Sequence, residues 1–339
     1  MNVRHIGRTI RQDRRGHQKH PAQRNRKAHF RTLRVPAASD KPARSCLSPL
    51  TLAPQRSYHA AISRVPGKLI RILSDIHYGD HASRVDRLAQ LRPLLDGVTH
   101  LVLNGDTLDT RPGPLPAHTA ECRAVVGEFF PREVPASTFL TGNHDADFSP
   151  HHHLDLAGGK VFVTHGDIFF DDIVPWSKDA ALISRRIAEE LRSLPSELHH
   201  HLDHRLAVLR RVAASIPQRH QSERSRVKYA LHYIADTIWP PLRTLRVMQA
   251  WRLAPTRAVE LTQRHRPTAK FILSGHTHRP GIWRMRAGIT VINTGSFCPP
   301  FGGYAVDLGE EHLAVRRVDV RAGEFRAGEV VAEFPLAAS

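Results

Sequence analysis

A chain of 339 residues carries only three cysteines, three methionines and four tryptophans. Cys46, Cys122 and Cys298 share no ligand-like spacing, which argues against a disulfide scaffold and against a cysteine-based zinc site. Thiols this sparse fit a reducing compartment, so a cytoplasmic setting is expected. Aromatic residues make up only 6%, yet hydrophobic residues reach 41%, too many for wholesale disorder and enough for the core of one or two domains. No apolar run approaches the roughly 18 residues of a membrane-spanning helix, which predicts no transmembrane segment and leaves only peripheral membrane contact open. Residues 1–30 lack the apolar stretch of a secretory signal. Acidic side chains are also scarce: 32 Asp and Glu face 49 Lys and Arg, a formal charge of +17, with 24 His besides.

That charge is unevenly placed. Residues 1–66 hold 15 Lys and Arg against Asp13 and Asp40, a net of +13, with no sustained apolar period. Such a segment buries too little surface to offset its ordering entropy, and a disordered N-terminal extension is expected. Three roles stay open for it: an arm for nucleic acid or an anionic surface, an Arg-rich organelle transit peptide, or a stretch translated from upstream of the true start. Residues 176–266 carry a net +9, whereas 67–175 and 267–339 together carry −5. The sequence divides into a basic extension, a slightly acidic body in two pieces, and a basic insert between them.

In the body, short apolar runs end in polar residues of one kind. Residues 69–74 lead into Asp75-Ile76-His77, 100–103 into Asn104-Gly105-Asp106, and 137–140 into Thr141-Gly142-Asn143-His144-Asp145. Residues 160–163 lead into Thr164-His165-Gly166-Asp167, and 270–273 into Ser274-Gly275-His276-Thr277-His278. By length and by Val, Ile, Leu and Phe content these runs read as buried strands. Residues 85–95 read as a helix with Val85, Leu88, Leu91 and Leu95 on one face, so strand and helix alternate and an α/β sheet is expected. Further strands are expected at 289–293, 303–307 and 313–318. The insert has helical spacing instead: Ile183, Ile187, Leu191 and Leu194; Leu202, Leu206, Leu209, Ala213 and Ile216; Val227, Leu231, Ile234 and Ile238. Trp239-Pro240-Pro241 should break the third helix and a fourth should follow around 245–251, giving a helical cap.

Five strand ends thus deliver Asp75, His77, Asp106, Asn143, His165, His276 and His278. Imidazoles and carboxylates together suit divalent cations such as Mn²⁺, Fe and Zn²⁺. Ligands of an open α/β sheet bind outside the carboxyl ends of its strands, so one shared site makes physical sense. The histidine runs at 151–153 and 199–201, with His204, lack an accompanying carboxylate motif and read as exposed, although His200 and His204 have i, i+4 spacing.

The order Asp75-x-His77, Gly105-Asp106-x-x-Asp109, Gly142-Asn143-His144-Asp145, His165 and Gly275-His276-x-His278 resembles the calcineurin-like metallophosphoesterase superfamily. The resemblance implies a four-layer α/β sandwich, two mixed sheets flanked by helices, with the insert as a helical cap. It implies two divalent cations, Mn²⁺ first among the candidates and Fe or Zn²⁺ after it. One would take Asp75, His77 and His278, the other Asn143, His165 and His276, with Asp106 bridging. His144, partnered by Asp109, would contact phosphate together with Asn143 and protonate the leaving oxygen. The implied activity is hydrolysis of a phosphate ester or pyrophosphate by a metal-bridging hydroxide. The run Gly275-His276-Thr277-His278-Arg279-Pro280 and the helical insert are also similar to UDP-2,3-diacylglucosamine hydrolases, which suggests a UDP-sugar-lipid or nucleotide-like substrate. That branch typically has Arg where this chain has His144. The +9 insert fits an anionic phosphorylated small-molecule or lipid-linked substrate. The alternative is a nucleic-acid-binding protein or nuclease that uses residues 1–66 and the insert.

Overall fold

The computed structural model describes residues 68–218 and 241–336. These all belong to one compact unit, Gln55–Ser339; the other unit, Met1–Pro54, lies outside the described residues, as do the expectations placed on the basic extension and on the third helix of the insert.

Among the described residues, eleven strands form two mixed sheets. In the first, β1 (Ile70–Leu73), β2 (His100–Asn104) and β3 (Ser137–Leu140) run parallel, and β9 (Tyr304–Leu308), β10 (His312–Arg321) and β11 (Glu324–Pro335) extend it antiparallel, in the order β11-β10-β9-β1-β2-β3. The second has the order β4-β5-β6-β8-β7. Its centre, β5 (Val161–Thr164), β6 (Phe271–Ser274) and β8 (Thr290–Asn293), is parallel, and β4 (His153–Leu156) and β7 (Gly281–Arg284) close its edges antiparallel.

Period-two alternation explains how the sheets stack. Ile70 and Ile72 of β1, Val102 of β2, Val161 and Val163 of β5, and Phe271 and Leu273 of β6 meet in one core between the sheets. The residues interleaved with them face outward. Leu73, Leu101 and Leu103 pack under α1 (Arg92–Leu95) and α2 (Pro116–Glu133). Phe162 and Ile272 pack under α3 (Ala180–Arg192), α4 (Leu202–Ala214) and α5 (Pro241–His265). Both faces of each sheet are covered, which is why the central strands read as continuous apolar runs. The architecture is a four-layer α/β sandwich. The insert helices that are described do not stand apart from it, because their apolar faces form the outer layer of the second sheet.

Several elements differ from the sequence reading. Residues 85–95 do not make one helix: a 3₁₀ turn at Leu88–Leu91 passes into the single turn of α1. The apolar spacing Val85, Leu88, Leu91, Leu94 is three, the 3₁₀ period, and Pro93 has no N–H to continue a ladder. Helix α2 and strands β4, β7 and β11 are additional. Helix α5 begins at Pro241 and continues through Pro255 to His265, much longer than the stretch 245–251. The histidine runs are also less exposed than expected. His152 is half-buried and its Nδ1 lies 2.7 Å from Thr141 Oγ1, while His153 Nε2 lies 2.7 Å from Asp203 Oδ1. His200 precedes the first residue of α4, so it shares no helical face with His204.

Candidate metal centre

Strands β1, β2, β3, β5 and β6 each run out into a polar turn, and these turns meet at one end of the sandwich. Asp75, His77, Asp106, His276 and His278 have left-handed φ angles of 53°, 50°, 51°, 67° and 56°. That backbone costs a non-glycine residue roughly 1–2 kcal/mol, so five instances in one cleft mean that packing holds them there against their preference. The loops also close tightly onto the carboxylates. A Cβ at Gly142 would stand 2.1 Å from Asp106 Oδ1, and one at Gly275 would stand 2.0 Å from Asp75 Oδ2, so only glycine fits.

Asp106 lies at the centre and is 2% exposed. Its Oδ2 is 3.3 Å from His165 Nε2 and 3.8 Å from His77 Nε2, and its Oδ1 accepts the His144 N–H at 2.8 Å. On one side, His77 Nε2 and His278 Nε2 approach to 3.1 Å, with Asp75 Oδ1 3.2 Å from the latter and 3.9 Å from the former. On the other, ligand atoms of Asp106, His165 and His276 lie within 4.8 Å of one another. Asp75, His77 and His278 thus sit together, as do His165 and His276 with Asp106. Asp145 is a brace: its carboxylate accepts backbone N–H bonds from Gly142, Thr107 and Asp106 at 2.6, 2.7 and 3.1 Å.

The donor set fits cations. Asn143 Oδ1 is buried with no hydrogen-bond partner, a costly state unless something outside the chain fills it. His165 Nε2 faces the Asp106 carboxylate at 3.3 Å, and although burial works against a charged ring, Asp106 and Asp75 outweigh it and raise its pKa to about 10. The ring nitrogens pointing away are held. His165 Nδ1 lies 3.0 Å from Asn104 O and His276 Nε2 lies 2.8 Å from Ile173 O, the outward hydrogen bonding that fixes the tautomer of a metal-binding imidazole. Burial, with the neighbouring histidines, lowers His77 and His276 to about 4, so both are neutral rings with a lone pair to offer. Burial opposes ionisation of Asp106, but the surrounding imidazoles outweigh it and hold this carboxylate well below its usual range.

His144 borders this cluster: one of its ring nitrogens lies within 4.8 Å of ligand atoms of His77 and Asp106, its ring packs edge-on against His77 with centroids 4.9 Å apart, and a quarter of its side chain is open to solvent. Its Nδ1 is 2.9 Å from Asp109 Oδ2. Burial and Arg111 work against a charged His144, yet Asp106 and Asp109 outweigh them and raise its pKa. Arg111 was not singled out by the sequence: its guanidinium donates to both oxygens of Asp109, at 3.0 and 2.6 Å. Gln218, at the end of the described part of the insert, donates to the backbone oxygens of Asp109 and Arg111 at 3.0 and 2.7 Å. Trp251 of α5 donates from Nε1 to Thr277 O at 2.9 Å, between the two histidines of the last motif. Cys298 was likewise missed; its Sγ joins ligand atoms of His77 and His278 within 4.8 Å. Sequence spacing gives no signal for Gln218, Trp251 and Cys298, because tertiary contact alone brings them to the cleft, whereas Arg111 stands two residues after Asp109 and reaches it locally.

A four-layer sandwich whose strand ends gather buried carboxylates, imidazoles and an orphaned amide oxygen defines the class of metal-dependent phosphoesterases. The chain belongs to the calcineurin-like phosphoesterase family, whose model matches residues 69–280. No curated protein matches the chain. Among solved structures, it is similar to Vacuolar Protein Sorting 29 from Cryptosporidium parvum, at 12% identity and a TM-score of 0.38, covering 79% of this chain and 98% of that one. It is also similar to a dimetal phosphatase from Danio rerio, at 13% identity and a TM-score of 0.37, covering 81% and 100%. A third is GAP50, the anchor in the inner membrane complex of Plasmodium, at 12% identity and a TM-score of 0.35, covering 80% and 89%.

Proposed function

We propose that this protein is a hydrolase that uses two divalent cations to cleave a phosphate ester or pyrophosphate in an anionic, nucleotide-like or UDP-sugar-linked substrate. The observation that carries this reading is the gathering of Asp75 and Asp106 with His77, His165, His276 and His278 at the strand ends, with the buried Asn143 Oδ1 lacking a hydrogen-bond partner. Asp75, His77 and His278 would hold one cation, Asn143, His165 and His276 the other, and Asp106 both. When bound, such cations neutralise phosphoryl oxygens and make water acidic enough to serve as a nucleophile near neutral pH.

The chain's own residues supply the rest. Asn143 gives a neutral oxygen where a further carboxylate would repel an anionic substrate. His144 is oriented through Nδ1 by Asp109, which leaves Nε2 to face the substrate and hand its proton to the leaving oxygen. Arg111 and Gln218 keep Asp109 in place from two directions.

The part of the substrate beyond the phosphate has a surface to rest on. The Trp251 ring meets Phe301 edge-on at 5.4 Å, Arg279 lies 5.4 Å over Trp251, and Phe301 is 52% exposed. An aromatic ledge with a cation beside it suits a base or another flat group attached to phosphate. Among the described residues no helix is long and apolar enough to cross a membrane.

Purified protein should hydrolyse bis-p-nitrophenyl phosphate or p-nitrophenyl phosphate once supplied with Mn²⁺, Fe²⁺ or Zn²⁺, and Asp106→Asn should abolish this. Full metal-dependent turnover by Asp106→Asn would sink the reading, since Asp106 Oδ2 faces both His77 and His165.

A further inference from the structure

The loop after β8 carries Cys298 to the first cation position. Its route is anchored at several points. Thr294 N donates to Ser274 O at 2.8 Å, Phe297 N donates to Asp75 O at 3.0 Å, and Arg84 N donates to Phe297 O at 3.1 Å. Ser296 Oγ accepts the Cys298 N–H at 2.9 Å and donates to Cys298 O at 3.2 Å. The backbone of Cys298 is therefore registered against the very loop that presents Asp75 and His77. Its side chain is 4% exposed, and its sulfur shares a radius of 4.8 Å with ring nitrogens of His77 and His278. The other described cysteine, Cys122, is also buried, but its sulfur neighbours His118 on α2 and takes no part in the cleft.

We propose that Cys298 is a sulfur ligand of the cation held by His77 and His278, and that this thiol turns the site's preference away from Mn²⁺ toward Zn²⁺ or Fe²⁺. The inference rests on the two-cation reading above and adds to it a donor of a different chemical kind. Hard cations take oxygen and tolerate imidazole, whereas thiolate selects softer ones. On binding, the Sγ–H bond breaks, its proton passes to solvent, and the sulfur electron pair goes to the cation; no electron is transferred and no oxidant is needed. Asp75 already accepts the His276 N–H through both oxygens, at 3.1 Å each, so its capacity toward a cation is partly used.

The test is cobalt spectroscopy on the full-length protein stripped of metal. Co²⁺ should produce visible ligand-field bands together with a sulfur-to-cobalt charge-transfer band in the near ultraviolet. In Cys298→Ala and Cys298→Ser the visible bands should remain and the charge-transfer band should vanish, while Cys122→Ala keeps both. Equilibrium dialysis against mixed Zn²⁺ and Mn²⁺ should show the Zn²⁺ preference falling about tenfold in Cys298→Ser, the lower end of what the loss of a supporting group costs a metal site. Visible bands without a charge-transfer band in the wild type, or a charge-transfer band surviving in Cys298→Ala, would overturn the sulfur ligand and leave the two-cation reading intact. A wild type that takes up no Co²⁺ at all would overturn both.

Discussion

His144 shows how much a single residue's neighbourhood decides. It follows Asn143 directly in the chain, yet its ring turns to Asp109 and solvent, while Asn143 Oδ1 stays buried and unpartnered. Replacing His144 with Ala should remove a proton donor and leave the cation-binding atoms alone. Turnover should fall by roughly 10²–10⁴-fold, the usual contribution of general acid catalysis, while metal content per chain stays unchanged; steady-state kinetics beside elemental analysis checks both. A variant that lost its metal as well would make His144 part of the cation site. The candidate ligand residues stood out in the sequence because each sits within a few residues of an apolar strand, and strand ends are where an α/β sheet collects its chemistry. Gln218, Trp251 and Cys298 were not legible, because their places depend on contacts from loops and helices distant in sequence; Arg111, by contrast, pairs with Asp109 only two residues away. Cys298 is the sharpest case: three cysteines without common spacing gave no reason to expect a thiol beside two histidines.

Elements were legible in proportion to how completely they are buried. The central strands lie between covered faces and show unbroken apolar runs. Strands β4 and β7 are sheet edges, and β4 has only Leu154 and Leu156 to bury. Helix α2 buries Cys122, Val126, Phe129 and Phe130 at helical spacing, but Pro116, Gly127 and Pro131 look like breaks when read along the chain. The insert helices do more than cover a sheet. Arg210 of α4 makes a buried bidentate pair with Asp167, two residues after His165, with Nη2 2.8 Å from Oδ1. Arg210→Ala leaves Asp167 charged and unpaired in the interior, which costs roughly 3–5 kcal/mol; urea unfolding should show that loss, and Arg210→Met combined with Asp167→Asn should recover much of it. At the cleft rim, Phe301→Ala should raise KM severalfold for a UDP-sugar or nucleotide substrate and leave kcat on p-nitrophenyl phosphate unchanged. Equal effects on both substrates would mean that the ring supports the loop and not the ligand.

At the scale of the molecule, the charge imbalance of +17 resolves into parts with different roles. The sandwich that holds the candidate site comes from slightly acidic sequence, and its outer helical layer on the second sheet comes from basic sequence. Where layers and loops meet, polar groups are buried together, and one of them gives the whole fold a pH dependence of known sign. His152 lies near the junction of β4 and α4, with Arg210 and His153 on the cationic side and Asp167 and Asp203 on the anionic side. Burial, then Arg210 and His153, lower its pKa from 6.5 to about 3, with the two carboxylates only partly offsetting them. In the unfolded chain the same imidazole takes up its proton near its ordinary value. Between those two pKa values the unfolded state binds more protons than the folded one, so stability must rise with pH across that window and fall as acid is added. His152 thus contributes stability that is full above pH 6.5 and is lost progressively as the pH drops toward 3. The urea midpoint of the metal-free protein should fall over this range. His152→Gln keeps a side-chain amide for Thr141 and removes the titration, so its midpoint should fall less steeply between pH 6.5 and 4 than that of the wild type, while matching the wild-type slope above pH 7. Parallel midpoints for the two proteins throughout the acid range would show that His152 takes up its proton at the same pH in the folded and unfolded states and carries no linkage.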